Sequence, residues 1–128
     1  MDTCKKVLII DNDIALYEAF LKKFPDSIDS LVVSSSEAGI TKTTQWMPNL
    51  IILEIMIPGH HNGFDVLHQL KANSKTKDIP VIVYTGLKGE RKTAMENGAL
   101  DYLVKPNIDP DNIAERVSRY FKNIAPII

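Results

Sequence analysis

Leu50-Ile51-Ile52-Leu53 is an unbroken apolar run that ends in a single acid, Glu54. Asn49 precedes it and Pro58-Gly59 follows within a few residues. A run this short, apolar on both sides of the pleat, suits a strand covered on both faces. A carboxylate at the C-terminal end of such a strand sits where open α/β sheets place their ligands.

Similar runs recur. Lys5-Lys6 lead into Val7-Leu8-Ile9-Ile10, which ends in Asp11-Asn12-Asp13. Asp13 is a candidate cap for a helix over about Ile14–Phe24, with Leu16, Phe20 and Phe24 on one face. Ile28–Val33 reads as a weaker edge strand, interrupted by Asp29 and Ser30. Ser34-Ser35-Ser36-Glu37 has capping-box spacing and opens a second helix to about Trp46. Ala38, Ile40, Thr44 and Met47 are its expected inner positions, and Gly39 with three threonines makes it dependent on packing.

Gly63–Ala72 reads as a third helix with Phe64, Leu67 and Leu70 inward. Ile79–Tyr84 is a fourth strand, ending at Thr85-Gly86, and a short helix over about Gly89–Glu96 stops at Asn97-Gly98. Tyr102–Val104 is a fifth strand, ending in Lys105-Pro106. Asp109-Pro110 opens a last helix, with Ile108 and Ile113 as a hydrophobic staple and Ile113, Val117, Phe121 and Ile124 on its inner face. Five alternations of strand and helix predict an α/β domain, a doubly wound parallel sheet with right-handed crossovers. All of 1–128 reads as one domain with its core over about 5–124, a normal size for an unstapled core.

The strand ends collect complementary chemistry. Asp11, Asn12 and Glu54 could hold a hard cation such as Mg²⁺. Thr85 and Lys105 could hold a phosphoryl group or a carboxylate. A formal net charge of −1 gives no indication of nucleic acid or membrane as a partner. A single cysteine, Cys4, cannot form an internal disulfide, and the chain carries no signal peptide or long apolar span. A cytoplasmic setting is therefore expected. His60, His61 and His68 read as exposed loop and helix residues rather than metal ligands, because no further histidine or cysteine completes a set.

Four segments together resemble the response-regulator receiver domain of two-component signalling. They are Val7–Asp13, Pro48–Gly59, Ile79–Gly86 and Asn97–Pro106. The resemblance implies a flavodoxin-like five-stranded sheet of order 2-1-3-4-5 and a signalling function without enzymatic turnover. Histidine kinases and downstream effectors are the implied protein partners, with no direct nucleic-acid contact from this chain. It also implies a metal set of Asp11, Asn12, the acceptor position Glu54 and the Met56 carbonyl. Thr85 is then the switch hydroxyl, Lys105 the phosphoryl contact, Tyr102 the rotating aromatic, and Gly86 the residue that leaves room beside the site. Partner binding is implied on the face of helix four, strand five and helix five, where Lys88, Arg91, Lys92, Tyr102, Arg116 and Arg119 fall.

Two departures from that family's pattern bear on function. Glu54 stands where the family has its phospho-accepting aspartate, and Asn12 replaces the second acid after strand one. The loop after Gly59 also carries an extra residue within His60-His61-Asn62. Glutamate carries its carboxylate roughly 1.3–1.5 Å further out, and an error of about 1 Å can cost ~10²-fold in transfer. Loss of one negative charge weakens Mg²⁺ binding. The longer side chain can instead pair with Lys105 and accept from Thr85, which predicts a pseudo-receiver that signals without phosphate. Ordinary phosphotransfer to Glu54 and a scaffold without chemistry are the alternatives. Asp11-Asn12-Asp13 also resembles the Asp-x-Asp motif of haloacid-dehalogenase-type phosphatases, but the chain is short for that fold and lacks a late acidic pair.

Overall fold

The computed structural model describes residues 4–105 and 109–123, without the side chains at 19, 20, 110 and 123. The elements run β1 (Lys5–Ile10), α1 (Ile14–Phe20), β2 (Ile28–Val33), α2 (Ser36–Trp46), β3 (Leu50–Leu53), α3 (Gly63–Ala72), β4 (Val81–Thr85), α4 (Arg91–Glu96), β5 (Asp101–Val104) and α5 (Pro110–Asn123). The strands form one sheet of order β2-β1-β3-β4-β5. Every neighbouring pair is parallel. This is the expected flavodoxin-like, doubly wound architecture.

Side-chain alternation along each strand divides the core in two. Leu8, Ile10, Ile51, Leu53, Val81 and Val83 face one layer, with Val66, Leu67 and Leu70 of α3 and Ala94 of α4. Val7, Ile9, Leu50, Ile52, Ile82 and Tyr84 face the other, with Tyr17 of α1 and Ile113, Val117 and Phe121 of α5. All four β3 residues are buried because helices cover both faces. β2 is only partly buried, as an interrupted edge strand should be.

Several local expectations change. α1 ends at Phe20 and tightens into a 3₁₀ turn over Leu21–Lys23. Phe24 still reaches the core, but among the described side chains of α1 the fully buried one is Tyr17, while Leu16 is only half-buried. The expected inner positions Phe20 and Ile124, and the staple residue Ile108, lie outside the described residues or side chains.

The cap of α2 is Ser35, which accepts from the Ala38 amide at 3.2 Å, so the box read at Ser34 and Glu37 does not form. The buried face of α2 is Ser36, Gly39 and Thr43, whereas Thr44 and Met47 are exposed. Small residues win this face because the helix lies against β1: a Cβ on Gly39 would stand 2.8 Å from Ile10 Cδ1. Packing thus sets the inner face where hydropathy suggested a different one. In α3 it is Val66, rather than Phe64, that joins Leu67 and Leu70 in full burial.

Among the described residues a capping box forms instead at α3. Asn62 accepts from the Asp65 amide at 3.0 Å and Asp65 accepts from the Asn62 amide at 3.1 Å. Asp109 caps α5 as expected, accepting from the Asn112 amide at 2.9 Å. β4 and β5 are each shifted by a residue or two from their expected bounds, and α4 starts at Arg91. Gly98, with φ near +100°, supplies the left-handed turn after α4.

Candidate functional site

The parallel register brings the strand ends together. Ile10 pairs with Leu53, Leu53 with Val83, and Thr85 with Val104. The residues immediately after continue the ladder: Glu54 N–H donates to Ile10 O at 2.9 Å, and Lys105 N–H donates to Thr85 O at 2.8 Å. Asp11, Glu54, Thr85 and Lys105 therefore share the C-terminal edge of the sheet, at the β1/β3 switch point where such folds place ligands.

Lys105 links the two acids. Its Nζ lies 2.7 Å from Asp11 Oδ2 and 3.0 Å from Glu54 Oε1. Asp11 and Glu54 are 1% and 5% exposed, so neither carboxylate has bulk water as an alternative partner. At an effective dielectric near 20, a unit pair about 4 Å apart gains about 4 kcal/mol, and each ion loses several kcal/mol of hydration. The cluster holds because each carboxylate also takes hydrogen bonds. Asp11 Oδ1 accepts from Asp13 N–H at 3.0 Å and Asp11 Oδ2 accepts from the Tyr17 hydroxyl at 2.8 Å. Glu54 Oε2 accepts from Met56 N–H at 3.1 Å. The ammonium also lies 5.5 Å from the Tyr84 ring centroid, a cation–π distance.

Glu54 takes the expected ion pair with Lys105. Its second partner is the Met56 amide rather than Thr85. The fully buried Thr85 hydroxyl accepts from Leu87 N–H at 3.2 Å and fastens the loop after β4. Tyr102 is buried, and its hydroxyl donates to the Leu87 carbonyl. Asn12 is exposed, as is the Met56 side chain at 55%. A Cβ on Gly86 would meet only Met56 Cε, at an ordinary 3.7 Å, so the backbone there tolerates other residues.

Tyr17 is the member of this cluster that sequence reasoning missed. The four-residue spacing put Leu16, Phe20 and Phe24 inward and passed over position 17, and nothing in the sequence marks its contact with Asp11. A hydrogen bond to a charged group is worth about 1.5–3 kcal/mol, enough to fix a buried phenol.

A divalent-cation site here would draw on the expected set of Asp11, Asn12, Glu54 and the Met56 carbonyl. These groups do not fit one in this arrangement. An ammonium already stands between the two acids, Asp11 Oδ2 has two donors on it, and the third expected side chain, Asn12, is neutral and exposed. Among the described residues no three of His, Cys, Asp and Glu are placed to hold a metal ion. His60 and His68 are exposed and His61 is half-buried, 3.9 Å from Asp65.

The cluster sets a pH dependence. Burial alone would lower the Lys105 pKa, but the hydrogen bonds and charges of Asp11 and Glu54 outweigh it and raise the pKa above the usual lysine value. Burial, then the Asp11 charge and hydrogen bond, push the Tyr17 phenol far up. Both groups keep their proton more tightly folded than unfolded. Their contribution to stability is complete below the unfolded values near 10 and falls as pH rises past them. Urea midpoints should therefore drop between about pH 9 and about pH 11, and drop less in Tyr17→Phe.

The loop after Gly59 is fastened to α2. Glu37 Oε2 accepts from His60 N–H at 2.7 Å and from Ser36 Oγ–H at 2.9 Å, and these bonds hold the Glu37 carboxyl below its usual pKa. The missing capping box thus frees Glu37 for this loop. Gly59, with φ near +120°, passes so close that a Cβ would lie 2.6 Å from Glu37 Oε1.

On the far side, an open cavity of about 290 Å³ lies between β5 and α5, with Leu100, Leu103 and Tyr120 against Arg116 and Arg119. Of the basic residues expected on this face, Arg91 pairs with Asp101 at 3.1 Å and Arg119 with Glu115 at 2.8 Å. Lys88, Lys92 and Arg116 are exposed.

A parallel sheet whose switch-point edge gathers an acid after β1, a carboxylate after β3, a threonine after β4 and a lysine after β5 has the layout of a receiver domain. The chain belongs to the response regulator receiver domain family, whose model matches residues 7–118. It is 26% identical over 127 residues to the phosphate regulon transcriptional regulatory protein PhoB of Escherichia coli, covering 96% of this chain and 54% of that protein. It is 30% identical over 121 residues to the DNA-binding response regulator MtrA of Mycobacterium bovis, covering 91% of this chain and 51% of that protein. The chain thus spans about half the length of these relatives. The Mn²⁺-bound response regulator Rcp1 superposes with a TM-score of 0.79 over 97% of this chain and 99% of that one, at 22% identity, which establishes the fold alone. Among the described residues no helix is long and apolar enough to cross a membrane.

Proposed function

We propose that this receiver domain signals without phosphoryl transfer, as a pseudo-receiver in a two-component pathway. One observation carries the reading: the Lys105 ammonium lies 3.0 Å from Glu54 and 2.7 Å from Asp11, occupied by the chain's own carboxylates. Glu54 places its charge further out than an aspartate could. The pocket therefore holds an internal carboxylate against the lysine that the family turns toward a phosphoryl group. Tyr102, buried and bonded to Leu87, is set in one position by the same strand end.

Output runs through protein contacts on the face of α4, β5 and α5. The exposed Lys88 and Lys92, and Arg116 beside the apolar Leu100, suit a partner with acidic and apolar surface. That partner is a histidine kinase or a downstream effector, met in the cytoplasm. The domain has no catalytic turnover of its own and no nucleic-acid contact from the residues described.

Incubation of the chain with Mg²⁺ and a small acyl phosphate should give no phosphoryl adduct by mass spectrometry. Glu54→Asp withdraws the carboxylate from Lys105 and leaves the ammonium free to swing off Asp11, so beryllofluoride with Mg²⁺ should bind that variant at least about tenfold better than wild type. A stable adduct on the wild-type chain identifies Glu54 as an ordinary phospho-acceptor and ends this reading.

A further inference from the structure

Tyr17 is wholly buried, yet it ends in a polar group aimed at an acid of the pocket. Its placement follows from the start of α1. Asp13 N–H is tied to Asp11 Oδ1, and the Asp13 side chain caps the helix by accepting from Leu16 N–H at 3.3 Å. Residue 17 then lies one turn in, and helical side chains lean back toward the N-terminus. A long ring at this position reaches the end of β1, and its hydroxyl meets Asp11 Oδ2 at 2.8 Å.

The same oxygen takes Lys105 Nζ at 2.7 Å. A carboxylate oxygen has two lone pairs, and both are engaged here. Asp11 is the only acid directly after β1 that the pocket buries, because Asn12 is neutral and exposed. A cation seeking this carboxylate would have to displace a buried phenol, an ammonium or both. It would also meet the positive charge of Lys105 at close range.

We propose that Tyr17 is a positioning residue of the pocket and that, together with Lys105, it closes Asp11 to divalent cations. The phenol orients Asp11 toward the lysine, and the lysine serves as the pocket's resident cation. The inference rests on the proposed phosphate-free reading of this pocket, but its test reads metal occupancy rather than phosphorylation.

The test is titration with Mn²⁺ alone, followed by paramagnetic broadening of the Asp11, Leu53 and Met56 amide signals. Wild type should show no saturable broadening up to millimolar Mn²⁺. Tyr17→Phe keeps the ring and removes only the hydroxyl, and should bind Mn²⁺ saturably, at least about tenfold more tightly. Thr76→Val removes an equally buried hydroxyl far from the pocket, one that donates to Leu70 O, and should behave as wild type. In wild type the Tyr17 hydroxyl proton should also exchange slowly and stay unmoved by Mn²⁺, a measurement that needs no variant. Saturable wild-type binding below millimolar, a folded Tyr17→Phe chain that ignores Mn²⁺, or a rapidly exchanging hydroxyl overturns the inference. Wild type that takes Mn²⁺ but forms no phosphoryl adduct overturns it while leaving the proposed function standing.

Discussion

Lys105→Met should destabilise the domain by about 3–5 kcal/mol, the usual cost of removing one partner from a buried ion cluster. The large effect comes from what is left behind. Asp11 and Glu54 are both buried, and without the ammonium they face one another with no cation between them. Tyr17, Asp13 N–H and Met56 N–H still donate, but hydrogen bonds alone do not neutralise two charges. Urea denaturation at neutral pH measures the loss. Adding Glu54→Gln to Lys105→Met removes one of the stranded charges and should recover most of it, as coupling between contacting groups requires. A single-variant loss below about 1 kcal/mol would mean that the pair behaves as a surface salt bridge, and the picture of a closed charged pocket would fail.

Gly63→Ala should cost about 3 kcal/mol, at the upper end for overpacking, although it adds only one methyl group. Gly63 opens α3, and its N–H donates to Ile55 O at 2.8 Å. A Cβ there would lie 2.6 Å from Ile55 Cα and closer still to the Glu54 carbonyl oxygen. Those atoms are backbone and cannot rotate away. The helix start must therefore move off the strand end that carries Glu54. Chemical-shift changes at Glu54, Met56 and Lys105 should accompany the drop in the urea midpoint. A variant of wild-type stability would show that α3 can slide without disturbing the site.

Apart from β2, which Asp29 and Ser30 interrupt, the strands were legible because each carries a short apolar run closed by a polar residue. A parallel sheet covered on both faces leaves little choice about where such runs go. The candidate site was legible for the same reason: Asp11, Glu54, Thr85 and Lys105 are the residues at which those runs stop. Hydropathy misled where packing distance governs. Gly39 and Thr43 face inward on α2 because Ile10 comes too close for anything larger, a constraint in the neighbouring strand rather than in the helix. Glu37 matched a capping box by spacing, but Ser35 takes the cap and the loop from residue 58 to 61 claims the acid. Tyr17 was hidden for a further reason. The apolar spacing selects Leu16, Phe20 and Phe24 rather than position 17, and nothing in the local sequence announces that its hydroxyl meets an acid six residues earlier.

Leu87 carries a consequence that its identity conceals. Its amide hydrogen goes to Thr85 and its carbonyl oxygen to Tyr102, so a single peptide segment joins two side chains from adjacent strands. Both tethers are main-chain atoms. Exchanging leucine for another residue leaves them in place, proline excepted, since it has no hydrogen to give. Mechanical communication between the charged rim and the β5 edge can thus persist while the letter at this position drifts.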